Sequence, residues 1–295
     1  MRADSPLRGI AAMLLACAFF ACMDALLKAL AGSFPPPQVM ALRGLTGLPL
    51  VCLYIAWRRE AAHVFHRRLR WRLHLLRGVL NMAMLLLFVH GLKTLGLAEA
   101  YTLTFVAPLL VTLLSVPLLG EAVRPRHWVA IALGFAGVVV ALRPERGAFL
   151  SSGALAVLVA AACYALSNVL GRLISRTESS ASLVFWTTAA MAVGGGLLAA
   201  PGWVPVQPHH GWALAGLAVS GFLGQLAIAE AFRHGQAATI APFEYSALAW
   251  ALLMDWVFWR AVPDAWTLGG GALIVASGIW LVRGERDRPA RAVQA

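Results

Sequence analysis

The sequence predicts an all-α membrane protein of ten transmembrane helices, arranged as two inverted five-helix repeats. Three observations lead to this prediction. The 295 residues are 60% hydrophobic and only 13% charged, whereas soluble domains carry about 25% charged residues. Long apolar runs recur along the whole chain, and the two halves resemble each other at matched positions. A soluble globule with this composition would expose too much apolar surface to water.

Ten apolar runs are long enough to be membrane spans. About 20 apolar residues in a helix cross roughly 30 Å of hydrocarbon. The first run is too long for the apolar part of a signal peptide, so we expect it to be retained as a span. The predicted spans lie near residues 9–30, 37–57, 73–92, 98–119, 126–143, 152–174, 181–200, 211–232, 237–258 and 265–283.

The distribution of basic residues predicts the orientation. If both termini face the cytoplasm, the inside segments hold roughly 17 basic residues, including the arginine-rich run 58–72. The other side then carries only Lys93, Arg143, Arg146 and Arg260. This bias favours an orientation with both termini cytoplasmic, and the Arg- and Ala-rich composition favours a bacterial inner membrane. The net charge of +11 is therefore assigned to topology and contact with membrane lipid, and no nucleic-acid partner is expected.

The two halves of the chain match at polar positions as well as apolar ones. At a constant offset, Phe20 corresponds to Tyr164, Asp24 to Asn168 and Lys28 to Arg172. These matches divide the chain into a first repeat, 1–146, and a second repeat, 147–295. Because each repeat holds five spans, the second enters the membrane upside down. Inverted repeats are a common plan of secondary transporters, which bind substrate near mid-membrane between the repeats.

Four segments carry a resemblance to a known family. They are LLRGVLNMAMLLLFVHGLKTLGLAEA (75–100), FVAPLLVTLLSVPLLGEAVRPRHWVAIALGFAGVVVAL (105–142), AATIAPFEYSALAWALL (237–253) and VPDAWTLGGGALIVASGIWLV (262–282). The chain resembles the drug/metabolite transporter superfamily in its EamA-type ten-helix branch, and the second half is most similar to S-adenosylmethionine uptake proteins. The resemblance implies transport of a small metabolite but names no substrate.

The chain departs from the family pattern at two places. The Gly120-Glu121 ending of the first copy is replaced by Phe258-Trp259 in the second. Similar proteins often have a basic residue where Glu244 stands, so the charge preference of the family is not carried over to that position.

Two stripes of polar residues are candidates for the wall of a substrate cavity. Asp24 and Lys28 lie four residues apart on one helix face below Phe20, and Tyr164, Asn168 and Arg172 form the matching stripe. For Asp24 and Asn168 a position facing the cavity is favoured. The two cations lie at span ends, where we expect their side chains to reach the lipid headgroups, with gating of the path as the alternative.

Further candidates are charged or aromatic residues inside spans. A lone charge facing lipid costs at least a few kcal/mol, so Glu244 should face the interior and pair with Arg43, Arg77 or Lys28, attract a cationic substrate, or take up a proton. Pro242 and Pro108 are expected to bend their helices. The other cavity candidates are Asn81, Tyr101, Phe105 and Tyr245, and Glu230 joins Lys28 and Glu244 as a candidate for gating or proton coupling.

The leading functional hypothesis is a secondary transporter of a small polar or cationic metabolite. The sequence contains no P-loop and no HExxH or GxSxG motif, so neither direct use of ATP nor hydrolytic chemistry is expected. No cofactor or metal is expected, because the four cysteines lie in spans as packing residues. The alternatives are a non-transporting scaffold or sensor and, less favoured, a membrane enzyme. A homodimer is left open.

Overall fold

The computed structural model describes residues 6–29, 33–65, 69–91, 103–142, 151–260 and 265–286. Within these ranges the protein consists of helices and connecting turns. The ten main helices are α1 Pro6–Ala29, α2 Pro36–Arg58, α3 Trp71–Gly91, α4 Ala107–Leu119, α5 Pro125–Leu142, α6 Ser152–Ser175, α7 Ser180–Ala199, α8 Gly211–His234, α9 (Ala237–Ile240, a 3-10 turn Ala241–Tyr245, then Ser246–Trp259) and α10 Ala265–Arg286. A short helix, Ala61–Val64, lies between α2 and α3.

The helices match the ten predicted spans. By length and composition seven of them can cross a membrane, and three shorter apolar helices, Ala107–Leu119, Pro125–Ala141 and Ala265–Leu281, account for the rest. The prediction of an all-α membrane protein is therefore confirmed. The start of the predicted span 98–119, and the proposed repeat boundary between residues 146 and 147, lie outside the described ranges.

Local sequence signals set several helix ends. The hydroxyls of Ser151 and Ser179 accept hydrogen bonds from the amides of Ala154 and Ser182, and so cap α6 and α7. Gly120 ends α4 with φ +67°, a left-handed conformation that costs a glycine little.

The helices pack mainly across the two repeats. α1 packs on α8, α3 on α6, α2 on α7 and α5 on α10. Exchanging each helix of the first repeat for its counterpart in the second converts the α1–α8 pair into the α6–α3 pair. The same exchange leaves α2–α7 and α5–α10 unchanged, which is the pattern expected of a two-fold axis between the repeats.

Backbone atoms come into close contact in the α2–α7 and α5–α10 pairs, which this exchange leaves unchanged. A Cβ atom on Gly44 would collide with the backbone of α7, and one on Gly195 would meet the backbone of α2. In the other pair, a Cβ on Gly137 would lie 2.8 Å from the carbonyl oxygen of Gly270, and a Cβ on Gly270 would collide with Gly137. Small residues thus allow α2–α7 and α5–α10 to cross at backbone distance.

The helices define two ends of the bundle. We call "basic end" the end that carries the connections α2–α3, α4–α5, α6–α7 and α8–α9, which contact one another in the structure. The opposite end, where Gln38 hydrogen-bonds the backbone of Val204, is the far end. α1 begins at the basic end, with Gly9 against Ala231, whereas its counterpart α6 ends there. The second repeat is therefore inverted relative to the first.

Candidate functional site

α9 is interrupted in the first half of the predicted span 237–258. The regular helix stops at Ile240, a 3-10 turn covers Ala241–Tyr245, and the α-helix resumes at Ser246. Pro242, which has no amide N–H to donate, lies inside this turn. The sequence prediction had a continuous span 237–258. Interrupted helices near mid-membrane are a usual way for transporters to build a substrate site.

The matching place in the first repeat is also irregular. A helical segment at residues 103–104 gives way to a turn at Phe105 and Val106 before α4 begins at Ala107. Pro108 therefore lies in the first turn of α4, where its ring does not disturb a helix interior.

Glu244 lies where α1, α6 and α9 meet. Its residue surface is only 7% exposed. From α1, the Cys17 thiol donates to the backbone carbonyls of Phe243 (3.8 Å) and Glu244 (3.9 Å). From α6, Tyr164 interacts with both the Glu244 carboxylate and Asn168. Since α1 belongs to the first repeat and α6 and α9 to the second, the carboxylate lies between the repeats.

Several buried polar atoms around Glu244 have no hydrogen-bond partner among the described residues. They are Glu244 Oε1, the hydroxyls of Tyr245 and Ser246, and Asn168 Nδ2. Buried polar atoms are paired in the great majority of cases. Over the part of the chain that the structure covers, no cationic side chain forms an ion pair with Glu244. This cluster offers a carboxylate together with hydroxyl and amide groups.

Asp24 and Arg43 form a second charged group. Asp24 follows Cys17 by two helical turns, so it lies on nearly the same face of α1 and about 10 Å further toward the far end. Its side chain is exposed, although Phe20 on this face packs against Gly224 of α8. Asp24 therefore opens into the space between the repeats.

Arg43 reaches this group from α2. Its guanidinium lies 5.7 Å from the centre of the Phe20 ring and interacts electrostatically with Asp24. It also lines a small enclosed gap with Thr188 and Gln225. The structure thus joins two predicted site residues, Asp24 and Arg43, and places Arg43 with Asp24 and not with Glu244.

Arg77 and Asn81 lie together on α3, in its contact with α6. Arg77 is buried, and its Nε donates to the carbonyl oxygen of Ser167 (3.1 Å). The Ser167 hydroxyl donates to Asn81 Oδ1 (3.1 Å). Arg77 also lies in the field of Glu178, so it too is directed away from Glu244.

The predicted aromatic residues pack together. Phe105 and Tyr245 have ring centres 5.9 Å apart, and Tyr245 is fully buried against Gly134 of α5. Tyr101 and the side chain of Lys28 lie outside the described part of the molecule. Glu230 lies in the last turns of α8, where it pairs with His234 (3.2 Å) and Arg233 (3.7 Å) at the basic end.

A buried ion pair closes the basic end. Arg172 Nε lies 3.4 Å from Glu121 Oε1, and Arg172 Nη1 donates to the carbonyls of Phe232 (2.9 Å) and Arg233 (3.0 Å). Glu121 Oε2 accepts from the amide of Ala238 (3.4 Å). With Arg172 only 7% exposed, the prediction that its side chain reaches the headgroups is wrong. Burial raises the pKa of Glu121, against the opposing effect of Arg172.

A second contact at the basic end was missed by the sequence reasoning. Glu178 Oε2 lies 2.8 Å from His74 Nε2 and accepts from the Ser182 hydroxyl (2.8 Å), and Oε1 accepts from the amide of Arg70 (3.1 Å). Burial alone would raise the pKa of Glu178, but these hydrogen bonds together hold it below its ordinary value. In the sequence the only signal was an acid in the short polar connection 176–179.

An open apolar groove lies elsewhere on the surface, away from these charged groups. It holds about 580 Å³ between α9 and α10 and is lined by apolar side chains such as Leu252, Trp256 and Ile279. Being open and without charge, it has the character of a surface covered by lipid and not that of a site for a polar metabolite. Among the described residues, no group of three or more His, Cys, Asp or Glu side chains is placed to hold a metal.

Several named proteins are similar in sequence to this chain over most of its length. A pseudopaline exporter of Pseudomonas aeruginosa is 29% identical over 280 residues, which cover 94% of this chain and 97% of that protein. An S-adenosylmethionine uptake transporter of Rickettsia felis is 27% identical over 74% of each chain. A riboflavin transporter of Rhizobium johnstonii is 28% identical over 74% of this chain and 72% of its own.

A solved structure and a family model agree with these relatives. A crystal structure with 22% sequence identity superposes with a TM-score of 0.80 and covers 97% of this chain and 100% of its own, which establishes the shared fold. The model of the EamA-like transporter family matches twice, at residues 7–143 and 151–283. The resemblance to the drug/metabolite transporter superfamily is confirmed, and the chain belongs to the EamA-like transporter family of multi-pass membrane transporters, not to a family of enzymes.

Proposed function

We propose that this transporter is a secondary carrier that moves a small polar or cationic metabolite by alternating access, through a cavity between the repeats 1–146 and 147–295. It lies in a bacterial inner membrane, and the basic end faces the cytoplasm, as the positive-inside rule requires. Membrane lipid surrounds the bundle, which fits the exposed tryptophans near helix ends: Trp57, Trp71, Trp128, Trp212 and Trp266.

The observation that carries the proposal is a contrast, among the described residues, between a buried ion pair at the basic end and an exposed carboxylate nearer the far end. At the basic end, Arg172 and Glu121 form a buried pair that ties α6 to the α4–α5 connection and to α8. Toward the far end, Asp24 is exposed on the same face of α1 that contacts Glu244 near the middle of that helix. A carrier that is closed on one side and accessible from the other is in one of the two states of alternating access.

The names of the relatives agree with a polar cargo but fix neither the substrate nor the direction. One relative is named as an exporter, one as an uptake protein and one by its substrate riboflavin alone. The substrate class must therefore come from the side chains between the repeats.

The test combines a binding screen with exchange across a bilayer. Purified protein is screened by thermal shift against amino acids, nucleosides, S-adenosylmethionine, riboflavin and quaternary amines, because a ligand of the folded state raises the melting temperature. The best binder is then used for counterflow into proteoliposomes. We expect accumulation that Arg43→Ala reduces, since Asp24 loses its counter-charge.

The matched control is Glu60→Gln, which removes a carboxylate from an exposed pair with Arg58 and should exchange like the wild type. A metabolite that binds tightly and yet does not cross the bilayer would contradict the proposal and favour a sensor.

A further inference from the structure

Glu244 stands apart from the other buried carboxylates of the bundle. Both oxygens of Glu121 and both oxygens of Glu178 accept hydrogen bonds or ion pairs. Glu244 Oε1, in contrast, has no partner among the described residues. The Tyr164 hydroxyl bonds to this carboxylate, but no cation faces it in the described structure. A buried carboxylate with so little compensation is too costly to remain charged, so it holds either a proton or a cation.

The side chains facing Glu244 supply no internal cation. α1 presents Cys17, α6 presents Tyr164 and Asn168, and α9 adds Tyr245. Over residues 107–119 of α4 and 265–281 of α10 the sequence has no titratable side chain. On α5 the nearest candidate, His127, lies 3.3 Å from the hydroxyl of Thr239.

The guanidiniums inside the bundle are directed elsewhere. Arg43 interacts with Asp24, Arg77 donates to Ser167, and Arg172 pairs with Glu121. An anionic substrate would therefore meet an acid at this site without a facing cation. A cationic substrate would supply the charge that the protein withholds, and the hydroxyls of Tyr245 and Ser246 and the amide of Asn168 would bind its polar groups.

We propose that Glu244 is an exchange site where an organic cation of the ammonium or sulfonium type and a proton bind alternately. This rests on the proposed carrier function and names its substrate class. Binding follows Glu–COOH + S⁺ → Glu–COO⁻·S⁺ + H⁺, in which the O–H bond breaks and the proton leaves to water. Charge and atoms balance without any other reactant. Because one carboxylate serves both ions, each cation carried one way is coupled to a proton carried the other way.

The test measures proton release when a cation binds. The probes are choline, benzyltrimethylammonium and S-adenosylmethionine, with 3,3-dimethylbutanol as the uncharged analogue of choline, added to purified protein in weakly buffered detergent. We expect about one proton released per bound cation where Glu244 is protonated, and cation affinity that falls about tenfold per pH unit on the acid side. The neutral analogue should release none.

Variants separate the site from the rest of the protein. Glu244→Gln should lose proton release and the pH dependence of binding, Glu244→Asp should keep both, and Glu60→Gln should equal the wild type. The melting temperature of each variant is measured first. If Glu244→Gln fails to fold, infrared spectroscopy of the wild type takes its place. We then expect choline to convert the band of a protonated carboxyl group into that of a carboxylate.

The outcomes also distinguish this proposal from the carrier function. If a metabolite shows counterflow but none of the cations releases a proton, or if release persists in Glu244→Gln, exchange at Glu244 is wrong and the carrier stands. If cations release protons from Glu244 but no probe crosses the bilayer, the exchange site is supported as a binding site and the carrier function fails.

Discussion

The basic end and the centre of the bundle use the same residue types in opposite ways. At the basic end, two buried glutamates accept hydrogen bonds or ion pairs on all four carboxylate oxygens. At the centre, Glu244, Tyr245 and Ser246 are consecutive and each leaves a buried polar atom without a partner in the described structure. Paired groups hold helices together, whereas unpaired groups can bind something else. Under the proposed function, the paired groups close the basic end and the unpartnered groups at the centre recognise the substrate.

This comparison has an energetic meaning. A buried ion pair contributes little net stability compared with apolar packing, but removing one partner costs much because it strands a charge. Removing a polar atom that has no partner costs little or stabilises the fold. Substitutions of the paired groups at the basic end should therefore mainly lower stability. Substitutions of the unpartnered groups at the centre should mainly affect transport.

The largest effect is expected from breaking the closed pair. Arg172→Ala leaves Glu121 buried without a counter-charge, bonded to the amides of Ala237 and Ala238, and should lower the unfolding free energy by about 3–5 kcal/mol. The measurement is the melting temperature in detergent. Arg58→Ala, in an exposed pair with Glu60, is the control and should cost under about 1 kcal/mol.

The charge swap Glu121→Arg with Arg172→Glu sharpens this test. It restores the attraction but places a carboxylate beside the carbonyls of Phe232 and Arg233, so only part of the loss should be recovered. Equal stability of wild type and Arg172→Ala would show that the pair does not close the basic end.

A smaller effect is expected from removing one hydroxyl group at each place. Ser182→Ala takes a donor away from Glu178 and should cost about 1–2 kcal/mol. Tyr245→Phe removes a hydroxyl that has no partner among the described residues, so it should leave the melting temperature unchanged or slightly raised. If the proposed cation binds at Glu244, the same substitution should lower its affinity. Comparable destabilisation by both substitutions would erase the distinction between the two regions.

The smallest effect concerns pH. The pKa of Glu178 is lowered in the folded protein, so the stability it contributes is present above the ordinary glutamate pKa and is lost as the pH falls through the folded value. Melting temperatures from pH 7 to pH 3.5 should therefore fall less steeply for Glu178→Gln than for the wild type. Parallel curves would mean that the His74–Glu178 contact adds no stability.

The sequence predicted the spans and their inversion because both depend on local composition. Apolar length is read directly from the chain, and an odd number of spans per repeat forces the second copy to invert. The stripe Phe20–Asp24 and its position facing the other repeat also follow from helical periodicity.

The pairings could not be predicted, because they join residues far apart in the chain. Glu121 and Arg172, or His74 and Glu178, meet only once the connections at the basic end fold over the helix ends. Arg172 lies at the end of its span, where reaching the headgroups is the usual outcome. The packing of α8 and the α4–α5 connection over it is what buries it. Pro242 indicated an irregularity in α9, but the sequence did not show that a 3-10 turn would cover Ala241–Tyr245.

The glycine crossings of α2 with α7 and of α5 with α10 have a mechanical consequence. Exchanging the conformations of the two repeats maps each of these crossings onto itself, so their geometry would be the same in both states of the proposed alternating access. We therefore expect the helices to pivot about these two crossings. Under the proposed alternating access, opening one end and closing the other would require displacement only of the helices that lie off the axis, among them α1 with Asp24, α6 with Arg172 and the broken α9 with Glu244.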